Sequence, residues 1–221
     1  MFKNFQKKKY NSGVTLIELL VVITIFMIIS TITIFDYGKF RFSTSIQNLA
    51  DDIALSVRKA QSYAIGVRGY GASFGEGYGI HFMINPVASS PYSGSNKSFI
   101  IFVDIDKDGK YDFDSTKQCG TPELGNECLE VLNIISTDKI SGINYKIRNS
   151  DPKPLDVSGV IDISFKRPNP EPTFCNRYDN INSSSCGIDS ISFIEIKITN
   201  DINPGIFKIV TIWNNGQISV S

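Results

Sequence analysis

Gly13-Val14-Thr15-Leu16-Ile17-Glu18-Leu19-Leu20-Val21-Val22-Ile23 opens an apolar run that lasts to Phe35, with Glu18 as its only ionisable residue. A helix that crosses a bilayer needs roughly 20 apolar residues, and this run is long enough. Ahead of it lies MFKNFQKKKYNSG, with Lys3, Lys7, Lys8 and Lys9 and no acidic residue. Lysines on one flank keep that flank cytoplasmic. The chain is therefore expected to be a single-pass protein of the cytoplasmic membrane with an exported C-terminal part.

Two plainer readings fit the residues less well. A secretory signal peptide ends at a small-residue site of the A-x-A kind, but no alanine precedes Ala50. A simple anchor accounts for the lysines and the apolar run but gives no reason for Glu18. A carboxylate in such a segment is costly and by default marks a function with a partner. The natural partner is a positive group that the chain itself can create, a new α-amino terminus.

The motif G-V-T-L-I-E-L-L-V-V-I resembles the prepilin-type leader of type IV pilins and type II secretion pseudopilins. The resemblance implies cleavage by a prepilin peptidase between Gly13 and Val14, and N-methylation of the new terminus at Val14. It makes Glu18 the assembly residue, the carboxylate that neutralises the terminal amine of a neighbouring subunit. Val14 is a departure, because the family usually has phenylalanine there. The implied partners are other pilin or pseudopilin subunits, the peptidase-methylase, the inner-membrane assembly platform and the membrane itself.

Removing 13 of the 221 residues leaves 208, enough for one head domain after the apolar span. The chain has 22 basic and 22 acidic residues, and the leader takes four lysines with it, leaving 18 against 22. A mildly acidic exported domain is a poor general binder of nucleic acid, which needs clustered Lys and Arg. Cys119, Cys128, Cys175 and Cys186 all lie beyond the membrane segment. An even count in an exported domain favours disulfides. The sequence-local pairs Cys119–Cys128 and Cys175–Cys186 are the simplest of three connectivities, and neither has C-x-x-C zinc spacing.

Beyond Gly38 a second pattern starts, with Ser43 or Thr44 placed to cap a restart. Ile46, Leu49, Ile53, Val57, Ala60, Ala64 and Val67 recur at steps of three and four, one face of an amphipathic helix. Gly66 and Gly69 are placed to end it. Strand patterns follow at Gly77–Ile84, Ser98–Val103, Glu130–Ile135, Ile143–Ile147, Val160–Phe165, Ile191–Thr199, Ile206–Trp213 and Gln217–Val220. The stretch Ser98–Val103 is apolar, β-rich and short, so it is expected to be buried. Asn200–Gly205 and Asn214-Asn215-Gly216 are turn signals. With no helix between strands, the sheet is expected to be antiparallel, and Pro168–Ser185 a long exposed loop. The organisation is thus 1–13 leader, 14–36 membrane and assembly helix, 37–67 amphipathic spine and 68–221 antiparallel β head. The fold class is α+β and pilin-like. The helix L-A-D-D-I-A-L-S-V-R-K-A-Q-S-Y-A-I, then G-Y-G-I-H-F and F-V-D-I-D-K-D-G-K-Y-D, resemble the H-type minor pseudopilins and their FimT-like relatives.

Outside the leader the sharpest constellation is Asp104 to Asp114. Asp104, Asp106 and Asp108 alternate and Gly109 follows, as in the first half of a calcium loop, with the Lys110 carbonyl and Asp112 as further ligands. Ser115 stands where such a loop ends with a bidentate Glu, and Glu123 or Glu127 would have to substitute. The other reading is a solvated acidic turn, since Asp and Gly favour turns. No cofactor is required beyond this calcium option. DNA uptake, known for some FimT-like pilins with a basic tail, is disfavoured because Gly216–Ser221 holds no Arg or Lys. Lys166, Arg167 and Arg177 are the nearest basic group. His81, the only histidine, sits in a predicted strand, and no nucleophile elbow or phosphate-cradling loop is present. The chain is read as a non-enzymatic minor pilin or pseudopilin of a type IV pilus or type II secretion pseudopilus. The alternative is a membrane-anchored binding module, an adhesin or DNA-uptake receptor.

Overall fold

The computed structural model describes residues 13–66, 68–71, 76–85, 94–114, 116–121, 125–155, 159–169, 171–175, 186 and 191–221, with the side chains of Phe35 and Asp36 left aside. Helix α1 runs from Leu16 to Ile65. Ser43 and Thr44 lie inside it and cap no second helix, because the apolar pattern continues across them. Gly66 donates its N–H to the Ser62 carbonyl at 2.8 Å and closes the last turn. The chain divides into two compact units, residues 1–41 and 42–221.

Among the described residues of the second unit ten strands follow the helix: β1 (Gly77–Met83), β2 (Ser98–Asp104), β3 (Cys128–Asn133), β4 (Asp138–Ile147), β5 (Lys153–Pro154), β6 (Val160–Phe165), β7 (Pro172–Cys175), β8 (Ile191–Asn200), β9 (Phe207–Trp213) and β10 (Ile218–Val220). They form two antiparallel sheets, ordered β3-β2-β1-β6-β7 and β10-β9-β8-β4-β5, where the sequence reading expects one. The division follows pairing across long sequence gaps, since β4 leaves the first sheet and takes β8 as partner. The architecture is α+β and pilin-like, with a long N-terminal helix packed through its second half on antiparallel sheets.

The helical stripe is as the period demands. Ile46, Leu49, Ile53, Val57, Ala60 and Ala64 are buried in one core with Ile80, Phe82, Ile163 and Ile196. Ala50 and Ala54 widen the stripe, and Val67 lies outside the described residues. All seven residues of β2 are buried, because both of its faces are covered. Phe99, Ile101 and Val103 join the main core, while Ile100 and Phe102 form a smaller one with Tyr111 and Cys128. The smaller core is roofed by the excursion between β2 and β3. Cys119–Cys128 closes that excursion, and Cys175–Cys186 ties the end of β7. The expected loop Pro168–Ser185 therefore contains a strand, β7; residues 170 and 176–185 lie outside the described residues.

One buried polar node joins helix to sheets. Asp138 is fully buried and accepts from Ser45 Oγ at 2.5 Å, Ser136 Oγ at 2.7 Å and Asn200 Nδ2 at 2.6 Å. Asn200 Oδ1 in turn accepts the N–H groups of Ile202 and Asn203, which sets the β8–β9 turn.

Candidate functional site

The N-terminal segment presents Gly13 and Val14 just before the helix, with Val14 exposed. From Val14 to Ile34 every side chain except Ser30 is exposed, although most are apolar. The helix is long and apolar enough there to cross a membrane. Glu18 starts it through a reciprocal cap. Its Oε2 accepts the Thr15 N–H and the Thr15 hydroxyl, each at 2.8 Å, and the Glu18 N–H donates to Thr15 Oγ at 3.3 Å. This is a capping box, and its T-x-x-E spacing was available in the sequence but unread. Glu18 is thereby held at the first turn, on the exposed surface. The leader lysines lie outside the described residues.

The second constellation lies where β2 ends. Asp104, Asp106 and Asp108 each place a carboxylate oxygen within 4.8 Å of the others. Lys107 and Gly109 take left-handed backbone conformations, φ 69° and 85°, which turn the chain back on itself. Asp108 N–H donates to Asp106 Oδ1 at 3.2 Å, Lys110 N–H to Asp108 Oδ1 at 2.7 Å, and Gly109 N–H to Asp104 Oδ2 at 3.1 Å. Asp112 is not in this group of three. Its N–H donates at 2.7 Å to Glu127 Oε2, whose Oε1 accepts the Ile105 N–H at 3.0 Å. Glu127 is thus a buried brace inside the loop, with both oxygens turned to amides. Burial pushes its carboxyl up to about 8; the two amide bonds oppose the shift, and Asp112 and Asp106 add to it. Ser115 and Glu123 lie outside the described residues.

Lys166 supplies the local positive charge. Its Nζ is 2.9 Å from Asp104 Oδ2 and donates to the Lys107 carbonyl at 2.6 Å. It therefore serves the acidic loop and no open basic surface. Arg177 lies outside the described residues. His81 lies in β1, as its predicted strand implies, and is almost fully buried, with its Nδ1 2.6 Å from Asp162 Oδ1. Asp162 was missed because only the β1–β6 register brings it opposite His81. Under the β2–β3 roof, with the Tyr111 ring 5.0 Å away, the pair is part of the smaller core's polar edge.

Residues 8–34 match the family model described as the prokaryotic N-terminal methylation motif. No curated protein and no solved structure matches the chain. The motif indicates a type IV pilin-like subunit that a prepilin peptidase processes, a structural rather than an enzymatic class. With the exposed apolar helix it points to a membrane-anchored protein.

Proposed function

We propose that this chain is a minor pilin or pseudopilin of the H-type, FimT-like branch. It is cut between Gly13 and Val14, methylated at Val14 and assembled into a type IV pilus or a type II secretion pseudopilus. The observation that supports this most is the match over residues 8–34, which meets the helix where its mostly apolar side chains, from Val14 to Ile34, are exposed. Exposed apolar surface of that extent calls for lipid first and for neighbouring helices after extraction. Glu18, which caps its own helix through Thr15, lies four residues after the new terminus at Val14, so a neighbour's amine can compete for the same carboxylate. The host membrane is the cytoplasmic one, the head is exported, and the assembly platform and sister subunits are the partners.

The test replaces Glu18 with Ala in the producing cell. Cleavage should persist, seen as an intact mass beginning at a methylated Val14, while incorporation into sheared filaments or pseudopili is lost. Filaments that take up the E18A chain at the parental level would overturn the assembly role of Glu18, whereas a parental chain absent from filaments would support a membrane-anchored extracellular binding module. A mature mass starting anywhere else would overturn the processing reading.

A further inference from the structure

We propose that the turn at Asp104, Asp106 and Asp108 binds a calcium ion. The inference concerns the head alone and stands apart from whether the chain polymerises. The three carboxylate oxygens lie within 4.8 Å of one another. Oxygens at about 2.4 Å from one calcium ion are at most about 4.8 Å apart, so the three fit one coordination sphere.

Asp104 supplies the second observation. Its side chain is fully buried, and its Oδ2 takes both the Gly109 N–H and the Lys166 ammonium. Its Oδ1 is buried too and has no hydrogen-bond partner. A desolvated carboxylate oxygen without a donor carries a penalty that the surrounding protein here does not offset. A cation held jointly with Asp106 and Asp108 supplies that oxygen's missing partner. Lys166 balances the charge of Asp104, but its ammonium is held on Oδ2 and on the Lys107 carbonyl and leaves Oδ1 without a donor.

The chemistry selects the ion. All three donors are hard carboxylate oxygens, with no imidazole or thiolate among them, which suits calcium over zinc or copper. Magnesium wants shorter bonds in near-octahedral order, which three carboxylates on one turn meet poorly. The expected affinity is that of extracellular modules, a dissociation constant of about 10⁻⁴–10⁻³ M.

The full chain, purified in neutral detergent, is melted in EGTA, in calcium chloride or in magnesium chloride, each salt at about tenfold the expected dissociation constant. Calcium should raise the melting temperature by about 3–5 °C and magnesium by much less. Asp106 is exposed, so D106N should melt like the parent in EGTA and lose the calcium shift. K166M removes the partner of Oδ2, so it should melt lower in EGTA and gain more from calcium. Superimposable parental curves with and without calcium, an undiminished shift in D106N, or an equal shift with magnesium would each overturn the proposal. None of these outcomes bears on cleavage or on Glu18.

Discussion

At Gly79 the first sheet leaves no room for a side chain. A methyl built there would lie 2.5 Å from the Phe102 ring and 2.7 Å from the Ile163 carbonyl oxygen. Phe102 is fully buried in the smaller core, and Ile163 belongs to the neighbouring strand, so neither can step aside cheaply. Overpacking of this kind costs about 1–3 kcal/mol. G79A should therefore lower the urea midpoint clearly, whereas G142A, with nothing within 4 Å of its added carbon, should stay within about 0.5 kcal/mol. Equal midpoints for the two variants would mean that the Phe102 ring moves freely. Residues whose partners are near in sequence were legible in advance. Glu18 stood out as a lone charge, and the alternation of Asp104, Asp106 and Asp108 placed three carboxylates at one turn. Residues whose partners are remote were not. His81 needs Asp162 and Ser45 needs Asp138, and separations of 81 and 93 residues are closed only by strand register and helix docking.

The second half of α1 shows what periodicity determines about an element. Ile53 is fully buried and Leu55 is 59% exposed, although they are two residues apart and equally apolar. Two steps turn a helix through about 200°, so one faces the sheets and the other does not. I53A should cost about 2–5 kcal/mol by leaving a cavity under the helix. L55A should change stability by less than about 0.5 kcal/mol. Chemical denaturation followed by circular dichroism reads both, and a large loss in L55A would place the core on the wrong face. The same logic found most strands, because alternation or an unbroken apolar run is written locally. It could not divide them between two sheets. Nor did it find β5, two residues long and exposed, or β7, which begins at Pro172 in a stretch that reads as loop. Both are held by register with β4 and β6 rather than by their own composition.

At the scale of the whole molecule, core and apolar surface are separated in sequence. The first unit ends at Arg41, and the first residue of the main core is Ile46. Among the described residues, the buried members of that core all belong to the second unit, and so does Ser45 of the polar node at Asp138. A chain that begins at Phe42 keeps both. It should be soluble without detergent, run as a monomer on size exclusion and unfold in one cooperative thermal transition, because one main core joins the helix to both sheets. A chain that begins at Gly66 loses Ile46, Leu49, Ile53 and Val57 from the core and uncovers the strand residues packed with them. Burying each such side chain contributes roughly 1.5–3 kcal/mol, and their joint loss, about 6–12 kcal/mol, is as large as the whole margin by which domains are stable. That shorter chain should aggregate or melt without a sharp transition. If it instead stays monomeric and cooperative, the helix is an appendage to a self-sufficient β head. If the Phe42 chain aggregates, the first unit shields the head in a way its sequence does not announce.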